Sequence, residues 1–187
     1  NQSHSLSRFK LYPEEMSRIQ FYADHEKKRI FEPLDATASI FAAYENGAIV
    51  GTLRLNYSKR SDLSYYEEFY VMSQVGYFHQ QRTSITTKLM LKPEYRKGTL
   101  AVRLANAAYA LALKDRIRYD FIDANPHLIP FFEGLGYRIH KTDYHPEYGD
   151  VTVMVLDLED INYLEKISSP FRREYQNFFS RYQFSIV

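Results

Sequence analysis

A strand–turn–helix segment in the middle of the chain constrains the fold most strongly. An apolar strand pattern at residues 89–91 runs into Pro-Glu-Tyr-Arg-Lys-Gly, and an alanine-rich helix pattern follows at once over about 99–117. Free N–H groups and the helix dipole at such a helix start favour a bound anion. The segment therefore predicts either a phosphate-binding turn or an ordinary strand-to-helix crossover, and this turn alone does not distinguish them.

A second unit of the same kind follows directly. Residues 120–124 have the composition of a buried strand, residues 127–135 have a short helix pattern, and Gly136 suits a left-handed helix end. Antiparallel strands are predicted around these units. Patterns at 38–45 and 48–57 flank Asn-Gly, which is a strong hairpin signal because both residues tolerate positive φ.

The remaining elements are predicted from periodicity and from helix-start residues. Patterns at 137–141 and 151–158 predict a last antiparallel pair. After Pro170, aromatic residues recur at helical spacing, which is compatible either with packing against the body or with a lid over an apolar ligand. Further helices are predicted over 13–31 and, capped by Ser61 or Asp62, over 63–75.

Length and composition set the broad class. The 187 residues are predicted to form one domain, with a loose segment at 1–10 and an aromatic C-terminal helix within 160–187. The net charge of +1 argues against bulk nucleic-acid binding. The absence of cysteine excludes disulfides, thiolate metal sites and a cysteine nucleophile, and no metal site is expected. No apolar run approaches the roughly 20 residues of a membrane helix and no signal peptide is visible, so a cytoplasmic protein is expected.

Two further features of the composition leave alternatives open. The 17 Tyr and 13 Phe residues either fill the core or line a roomy apolar pocket. Arg54 lies inside a predicted apolar strand, between Leu53 and Leu55. It faces solvent or, if it is buried, needs an anionic partner. Asp35, just before the preceding strand, is one such partner.

The order of the predicted elements and two motifs resemble the GNAT acyltransferase superfamily over about residues 12–158. The segment 91–98, Leu-Lys-Pro-Glu-Tyr-Arg-Lys-Gly, resembles the end of the family's fourth strand and its pantetheine-pyrophosphate loop. The segment 125–137, from Asn through Phe-Phe-Glu-Gly-Leu-Gly-Tyr, resembles the family's Asn…Phe-Tyr-Glu-Lys-Leu-Gly-Phe segment. The resemblance implies an α/β (α+β) fold with a mixed, mostly antiparallel, twisted sheet flanked by helices.

The first half of the chain narrows the resemblance to one branch. The sequence from Asp35 to Leu55 is similar to acyl-homoserine lactone synthases, which have an Asp before the strand and Gly-x-x-Arg-Leu after the turn. Lys27 and Phe31 have the spacing of that branch's Arg-x-x-x-Phe motif, but its expected Trp is missing. The chain therefore looks like the related long-chain N-acyl amino acid synthases, and among them the N-acyltyrosine synthases. Such enzymes transfer a fatty acyl chain from acyl carrier protein to the amine of an amino acid.

Two departures from the superfamily pattern bear on the chemistry. The family loop usually reads Arg/Gln-x-x-Gly-x-Gly/Ala, whereas here Arg96 is followed by Thr99 and Ala101, and Gly98 is one position early. A loop with fewer glycines grips a diphosphate less closely, so it suits the single phosphate of phosphopantetheine on a carrier protein better than CoA. Phe132 stands where the family commonly has a tyrosine that protonates the leaving thiolate.

The chemistry of thioester aminolysis suggests a role for each candidate residue, and no permanently bound cofactor is expected. The base is sought among Glu94, Asp123 and His127. The oxyanion donor is a backbone N–H beside a strand bulge expected near 89–91, with Leu91 as the candidate. The residues predicted to bind acyl-phosphopantetheine or acyl-CoA are Arg96, Lys97, Gly98, Thr99, Ala101 and Arg103, although Arg96, Lys97 and Arg103 are alternatively only solvated cations. Those predicted to bind the amino acid are Arg54, Asp35, Lys88, Asn125 and Phe132, although Arg54 alternatively only pairs with Asp35.

Two other functions stay open at the level of sequence. One is a CoA-dependent GNAT N-acetyltransferase, which a short polar slot beneath the family's fourth and fifth strands would indicate. The other is a non-catalytic acyl-carrier or lipid-binding module that kept the fold, which the missing tyrosine and the glycine-poor loop favour. A deep apolar slot at the same place would instead indicate a fatty acyl chain.

Overall fold

The computed structural model describes residues 22–27, 29–63, 65–145 and 149–183. A small hairpin of Ala23–Asp24 (β1) and Arg29–Ile30 (β2) precedes a six-stranded sheet. The sheet strands are Ser39–Glu45 (β3), Ala48–Tyr57 (β4), Thr83–Leu91 (β5), Tyr119–Ala124 (β6), Arg138–His145 (β7) and Gly149–Asp157 (β8). Their order is β3-β4-β5-β6-β8-β7, and only β5 and β6 are parallel, so the mixed, mostly antiparallel sheet predicted from the sequence is confirmed.

Helices cover both faces of the sheet. The α-helices are Tyr65–Phe69 (α1), Leu100–Lys114 (α2), Ile129–Leu135 (α3), Ile161–Lys166 (α4) and Phe171–Gln183 (α5). Short 3-10 turns occupy Pro33–Ala36, Met72–Phe78, Pro93–Tyr95 and Pro126–Leu128. One core layer joins the sheet to α2, α3 and α5, and a smaller one packs α1 against the opposite face. None of the described helices has the length and apolar composition needed to cross a membrane.

The β3–β4 hairpin has the turn that its sequence predicts. Asn46 and Gly47, with φ values of 50° and 77°, form the two-residue connection. Further along β4, Gly51 lets the strand approach α2 closely. A Cβ atom built there would lie 2.6 Å from Leu91 Cδ2 and 3.2 Å from Leu104 Cδ1, so no larger residue fits without displacement of these side chains.

Strands β5 and β6 separate from one another part-way along their length. Their parallel pairing covers Thr83–Ile85 and Tyr119–Phe121, after which β5 continues to Leu91 and β6 to Ala124 without pairing with each other. On its other side, β5 carries a bulge against β4. Among the residues that the structure describes, the β5–β6 pair is the one place where two neighbouring strands of the sheet separate and leave a gap between them.

Two helix predictions are corrected by the structure. Residues 13–21 lie outside the described part of the chain, but the predicted helix does not continue to residue 31 because β1 and β2 form a hairpin there. The Asp24 carboxylate accepts a hydrogen bond from the Lys27 backbone N–H at 2.9 Å, which stabilises that turn. The predicted helix over 63–75 is interrupted at Val71, whose φ of 51° ends α1 before the following 3-10 turn.

The C-terminal aromatic residues pack against the body of the protein. The Phe171 side chain is buried, and its ring stacks on Tyr109 of α2 with centroids 4.3 Å apart. Tyr175 and Phe178 are half-buried against the same core layer. The packing interpretation of this stripe is therefore confirmed for the described side chains, and the side chain of Tyr182 lies outside them.

Candidate active site

The gap between β5 and β6 opens into a cavity of about 330 Å³. On the side of α2 its wall is largely apolar, and on the other side of the sheet its lining is polar and aromatic. The apolar side includes Leu53, Leu55, Ala108, Ile122, Leu156 and Phe171, and the opposite side includes Tyr66, Lys88 and Asp123. The cavity can thus hold an apolar chain on one side of the sheet and a polar molecule on the other.

A bulge in β5 borders this cavity. Arg54 pairs with Thr87 and Thr52 pairs with Met90, so Leu53 alone faces two residues, Lys88 and Leu89. Lys88 has a φ of 52°, which is unusual for a residue with a side chain. A bulge leaves backbone groups outside the ladder, and an N–H group here is available to a substrate oxygen. The bulge that was predicted near 89–91 lies one residue earlier, and Leu91 itself is beyond it.

Arg54 lies at the centre of a buried ionic cluster on the polar side. Its side chain is 1% exposed, and Nη1 donates to Asp35 Oδ1 at 2.7 Å and to Glu32 Oε2 at 2.8 Å. Nε donates to Thr87 Oγ1 at 2.9 Å. The Asp35 partner anticipated from the sequence is present. Glu32 was not predicted. Its position three residues before Asp35 is a signal for it, because the two residues form a capping box around the Pro33–Ala36 turn.

Lys88 extends this cluster to the cavity. Its Nζ lies 3.1 Å from both Asp35 carboxylate oxygens and 3.4 Å from Glu32 Oε2. Although burial opposes it, the Glu32 N–H and the Arg54 and Lys88 cations hold the pKa of Asp35 below its usual value. The Lys88 side chain is 21% exposed, whereas Arg54 is enclosed. Lys88 is therefore the cation of this cluster that a ligand in the cavity can reach.

Asp123 faces the same side of the cavity from β6. Its carboxylate accepts a short hydrogen bond from the hydroxyl of Tyr70, which is fully buried. Burial and the nearby Asp123 charge raise the pKa of Tyr70 well above its usual value, so Tyr70 stays a donor. Asp123 is half-buried and lines the cavity. Tyr70 was missed from the sequence, where no signal separates it from the other 16 of the 17 tyrosines.

Two other predicted site residues line the same space, and a third, Leu91, lies outside it. Phe132 lines the cavity with its ring 5.7 Å from that of Tyr137, and it presents no hydroxyl group. Asn125 also lines the cavity, while its backbone carbonyl accepts a hydrogen bond from Leu128 at 2.8 Å. Leu91 is half-buried, and its carbonyl accepts from Arg96 Nε at 3.2 Å.

The structure does not bring Glu94 and His127 to this cavity. Both side chains are exposed, on the 3-10 turns Pro93–Tyr95 and Pro126–Leu128, and neither lines the space between the strands. Of the predicted base candidates, Asp123 is the one at the gap. The other two are displaced because short turns after each strand carry their side chains outward.

A second, open concavity of about 580 Å³ lies at the start of α2 and is lined by three of the six residues predicted to hold the donor. Gly98, Thr99 and Arg103 line it, and the Tyr95 hydroxyl donates to Glu45 across it. Arg96 and Lys97 are exposed beside it, and Ala101 is half-buried in the first helical turn. A Cβ atom at Gly98 would meet the Tyr95 carbonyl at 3.7 Å, an ordinary contact. No protein atom therefore lies so close to Gly98 that a larger residue would be excluded there.

A buried carboxyl group, Asp120, lies in the otherwise apolar side of the cavity. It accepts hydrogen bonds from Ser84 Oγ at 2.5 Å and the Tyr137 hydroxyl at 2.6 Å, and the Thr86 hydroxyl lies nearby. Burial raises the pKa of Asp120 to about 6 against the opposing effect of these hydroxyls. It was not predicted as a site residue, although an aspartate at the start of a buried strand is a signal for one.

Comparisons with known proteins show the family of the chain. The model of the N-acyl amino acid synthase FeeM family matches residues 8–159. The chain belongs to this family. Its members are acyltransferases, so the enzyme class predicted from the sequence is confirmed. A search of curated proteins gives no match.

Solved structures place the family within the GNAT acyltransferase fold. FeeM, an N-acyl amino acid synthase from uncultured soil microbes, is 14% identical with a TM-score of 0.57, over 66% of this chain and 69% of that chain. MesI, a CoA-dependent acyl-homoserine lactone synthase, is 17% identical with a TM-score of 0.60, over 94% and 87%. BjaI, another CoA-dependent acyl-homoserine lactone synthase, is 14% identical with a TM-score of 0.59, over 80% and 73%. At these identities the likeness shows the fold, and the predicted GNAT fold is confirmed.

Proposed function

We propose that this FeeM-family acyltransferase transfers a long-chain fatty acyl group from acyl carrier protein to the amine of an amino acid, with tyrosine as the preferred acceptor. The observation that carries the proposal is the cavity between β5 and β6, which is apolar on the side of α2 and ionic on the side of α1. A thioester placed in the gap would have its acyl chain on one side of the sheet and the incoming amine on the other.

The apolar side suits a fatty chain. It lies beside the separated strands and is lined by aliphatic residues of the sheet, by small residues of α2, and by the stacked rings of Phe171 and Tyr109. Each buried methylene group of a chain contributes roughly 0.8 kcal/mol, so a slot of this kind favours long acyl groups over acetyl. This geometry supports a fatty acyl donor over an acetyl donor, for which a short polar slot would be expected.

The polar side suits an amino acid. Lys88 is reachable from the cavity and can bind the carboxylate of the acceptor, whereas Arg54 is held by Asp35 and Glu32 and acts by positioning Asp35. Asp123 is placed to receive the amine, and Tyr66 offers an aromatic wall. An aromatic side chain on the acceptor is favoured by that wall, which supports tyrosine.

The chemical steps then follow from the residues at the gap. The α-amino group has a pKa of roughly 8, so part of it is already neutral near pH 7. The amine nitrogen attacks the thioester carbon, Asp123 accepts the proton lost from nitrogen, and an N–H at the Lys88–Leu89 bulge stabilises the oxyanion. The C–S bond breaks to give a thiolate, which takes its proton from solvent. Because a thiol has a pKa of roughly 8.5, Phe132 in place of an acid is tolerated.

Acyl carrier protein is the proposed donor because of the loop before α2. Arg96, Lys97 and Arg103 are exposed cations beside the open concavity, where they can meet a single phosphate and an acidic protein surface. The loop has a single glycine, Gly98, which lies one position early for the diphosphate-binding pattern. A carrier-protein donor would also place the reaction in the cytoplasm. Acyl-CoA is the second candidate donor, since MesI and BjaI are described as CoA-dependent.

The test is a product assay with two donors. The protein is incubated with a long saturated acyl chain on acyl carrier protein, or on CoA, together with a mixture of amino acids, and amides are detected by mass spectrometry. We expect N-acyl amino acids, N-acyltyrosine foremost, with the carrier-protein donor the better substrate. Asp123→Asn serves as the inactive control. Acetylation of a polyamine by acetyl-CoA without any long-chain amide would overturn the proposal.

A further inference from the structure

Asp120 has no role in the acyl transfer described above, yet its carboxyl group lies in the wall of the acyl side of the cavity. The side chain is 4% exposed and lines the cavity together with Thr86 and Tyr137. In the part of the chain that the structure describes, no Lys or Arg side chain forms an ion pair with it. A saturated acyl chain makes no use of such a group, and placing a carboxyl group in an apolar wall is costly.

The hydrogen bonds around Asp120 decide what kind of ligand group it can recognise. Ser84 and Tyr137 each have one hydroxyl proton, and both protons are directed to the Asp120 oxygens at 2.5 and 2.6 Å. The Thr86 hydroxyl lies within reach of both the Asp120 carboxyl group and the Tyr137 hydroxyl oxygen, either of which can accept its one proton. With these donors committed, lone pairs of the carboxylate and of the hydroxyl oxygens remain for the cavity. Among the described residues around Asp120, this part of the wall therefore offers hydrogen-bond acceptors and no free donor.

We propose that Asp120, Thr86 and Tyr137 form an acceptor site for a hydroxyl group carried by the acyl chain. This inference rests on the proposed function, because it assumes that an acyl chain occupies the cavity. A chain hydroxyl donates one hydrogen bond to the site. A ketone at the same position has no proton to donate, and the lone pairs of its oxygen would face those of the Asp120 carboxylate, which is unfavourable.

The position of the site along β5 indicates which part of the chain it would contact. Thr86 is two residues from Lys88 at the bulge, and Asp120 pairs with Ser84, four residues from Lys88. At about 3.3 Å per residue, these positions lie roughly 7 to 13 Å from the bulge. An extended chain advances roughly 1.3 Å per carbon for C–C bonds of ~1.5 Å, so the site faces about the fifth to tenth carbon. A hydroxyl beside the thioester carbon lies too close to the bulge to reach it.

The experiment compares kcat/KM for acyl thioesters of one chain length and one donor. The chains carry no substituent, a mid-chain hydroxyl, a mid-chain ketone, or a hydroxyl next to the reacting carbonyl. We expect the mid-chain hydroxyl to be preferred to the ketone by about tenfold, as one hydrogen bond to a charged acceptor predicts. The hydroxyl near the carbonyl gains no such preference. Equal rates for the hydroxyl and the ketone in the wild-type enzyme would overturn the inference.

Variants separate recognition from folding. Asp120→Asn keeps the shape but adds an N–H donor, so the preference should shift towards the ketone, and Thr86→Val should reduce it. Thr83→Val is the matched control, because Thr83 is a buried hydroxyl of the same strand that does not line the cavity. Its hydroxyl-to-ketone ratio should equal that of the wild type. If Asp120→Asn leaves the ratio unchanged while its melting temperature shows a folded protein, Asp120 is only structural.

The two proposals fail in different ways. If no chain of any kind is transferred, the proposed function is wrong. If the unsubstituted chain is transferred but the substituted chains are not distinguished, the proposed function stands and the acceptor site is rejected.

Discussion

The Arg54 guanidinium donates to the Asp35 carboxylate at 2.7 Å, in a place where only 1% of the Arg54 side chain is exposed. This contact ties the Pro33–Ala36 turn to β4, and Glu32 holds the same guanidinium nitrogen. Removing one member of a buried ion pair leaves an uncompensated charge, which costs more than the pair itself contributes.

Arg54→Ala is therefore expected to lower the free energy of unfolding by about 3 to 5 kcal/mol, because Asp35 and Glu32 lose their main partner. The measurement is urea unfolding at neutral pH. Arg60→Ala is the control. Arg60 is 61% exposed and 3.9 Å from Asp115, so its loss should change stability by less than about 1 kcal/mol. Equal effects of the two variants would contradict the view that Arg54 has a structural role.

Asp123→Asn is expected to lower kcat for amide formation by about 100-fold or more, since it removes the proton acceptor at the gap. Tyr70→Phe removes the donor that orients Asp123, and a smaller loss of about tenfold is expected from one hydrogen bond to a charged group. Steady-state kinetics with a long-chain donor measures both. Tyr77→Phe, at an 86% exposed tyrosine, should have no effect. Full activity of the Asp123→Asn enzyme would show that another group is the base.

Asp120 predicts a pH dependence of stability. Its pKa is raised from 3.8 to about 6 in the folded protein, so the unfolded chain ionises first as the pH rises. Ionisation of this group then disfavours folding, with no penalty below about pH 4 and the full penalty of about 3 kcal/mol above about pH 6. The free energy of unfolding of the wild type minus that of Asp120→Asn should fall by this amount between these values. The difference between the two proteins cancels the shared carboxyl groups, and a flat difference would show that Asp120 has an ordinary pKa.

Phe171 is expected to limit the length of the acyl chain, because its ring lines the cavity and stacks on Tyr109. Phe171→Ala should extend the slot and shift the chain-length preference towards longer donors. It should also cost about 3 to 5 kcal/mol of stability, as for other buried phenylalanines. Phe178→Ala is the control, since Phe178 packs on the same core layer but does not line the cavity. It should lose stability without any change in chain-length preference.

The local elements followed from short-range signals in the sequence. The Asn-Gly turn, the alanine-rich helix and the positive φ of Gly136 depend on neighbouring residues, and all are present in the structure. The helix predictions failed where local geometry departed from the pattern. Val71 adopts a left-handed conformation that apolar periodicity does not reveal, and the β1–β2 hairpin replaces the end of a predicted helix.

The sequence by itself determined the strands, the long helix and, through its motifs, the family of folds. Only the tertiary structure decided which side chains meet. Arg54 and Lys88 both pair with Glu32 and Asp35, Tyr70 donates to Asp123, and Ser84 donates to Asp120, all through contacts between segments distant along the chain. The physical reason is that the gap between β5 and β6 depends on where their pairing stops. That point is set by packing of the whole sheet against its helices, and no local pattern encodes it.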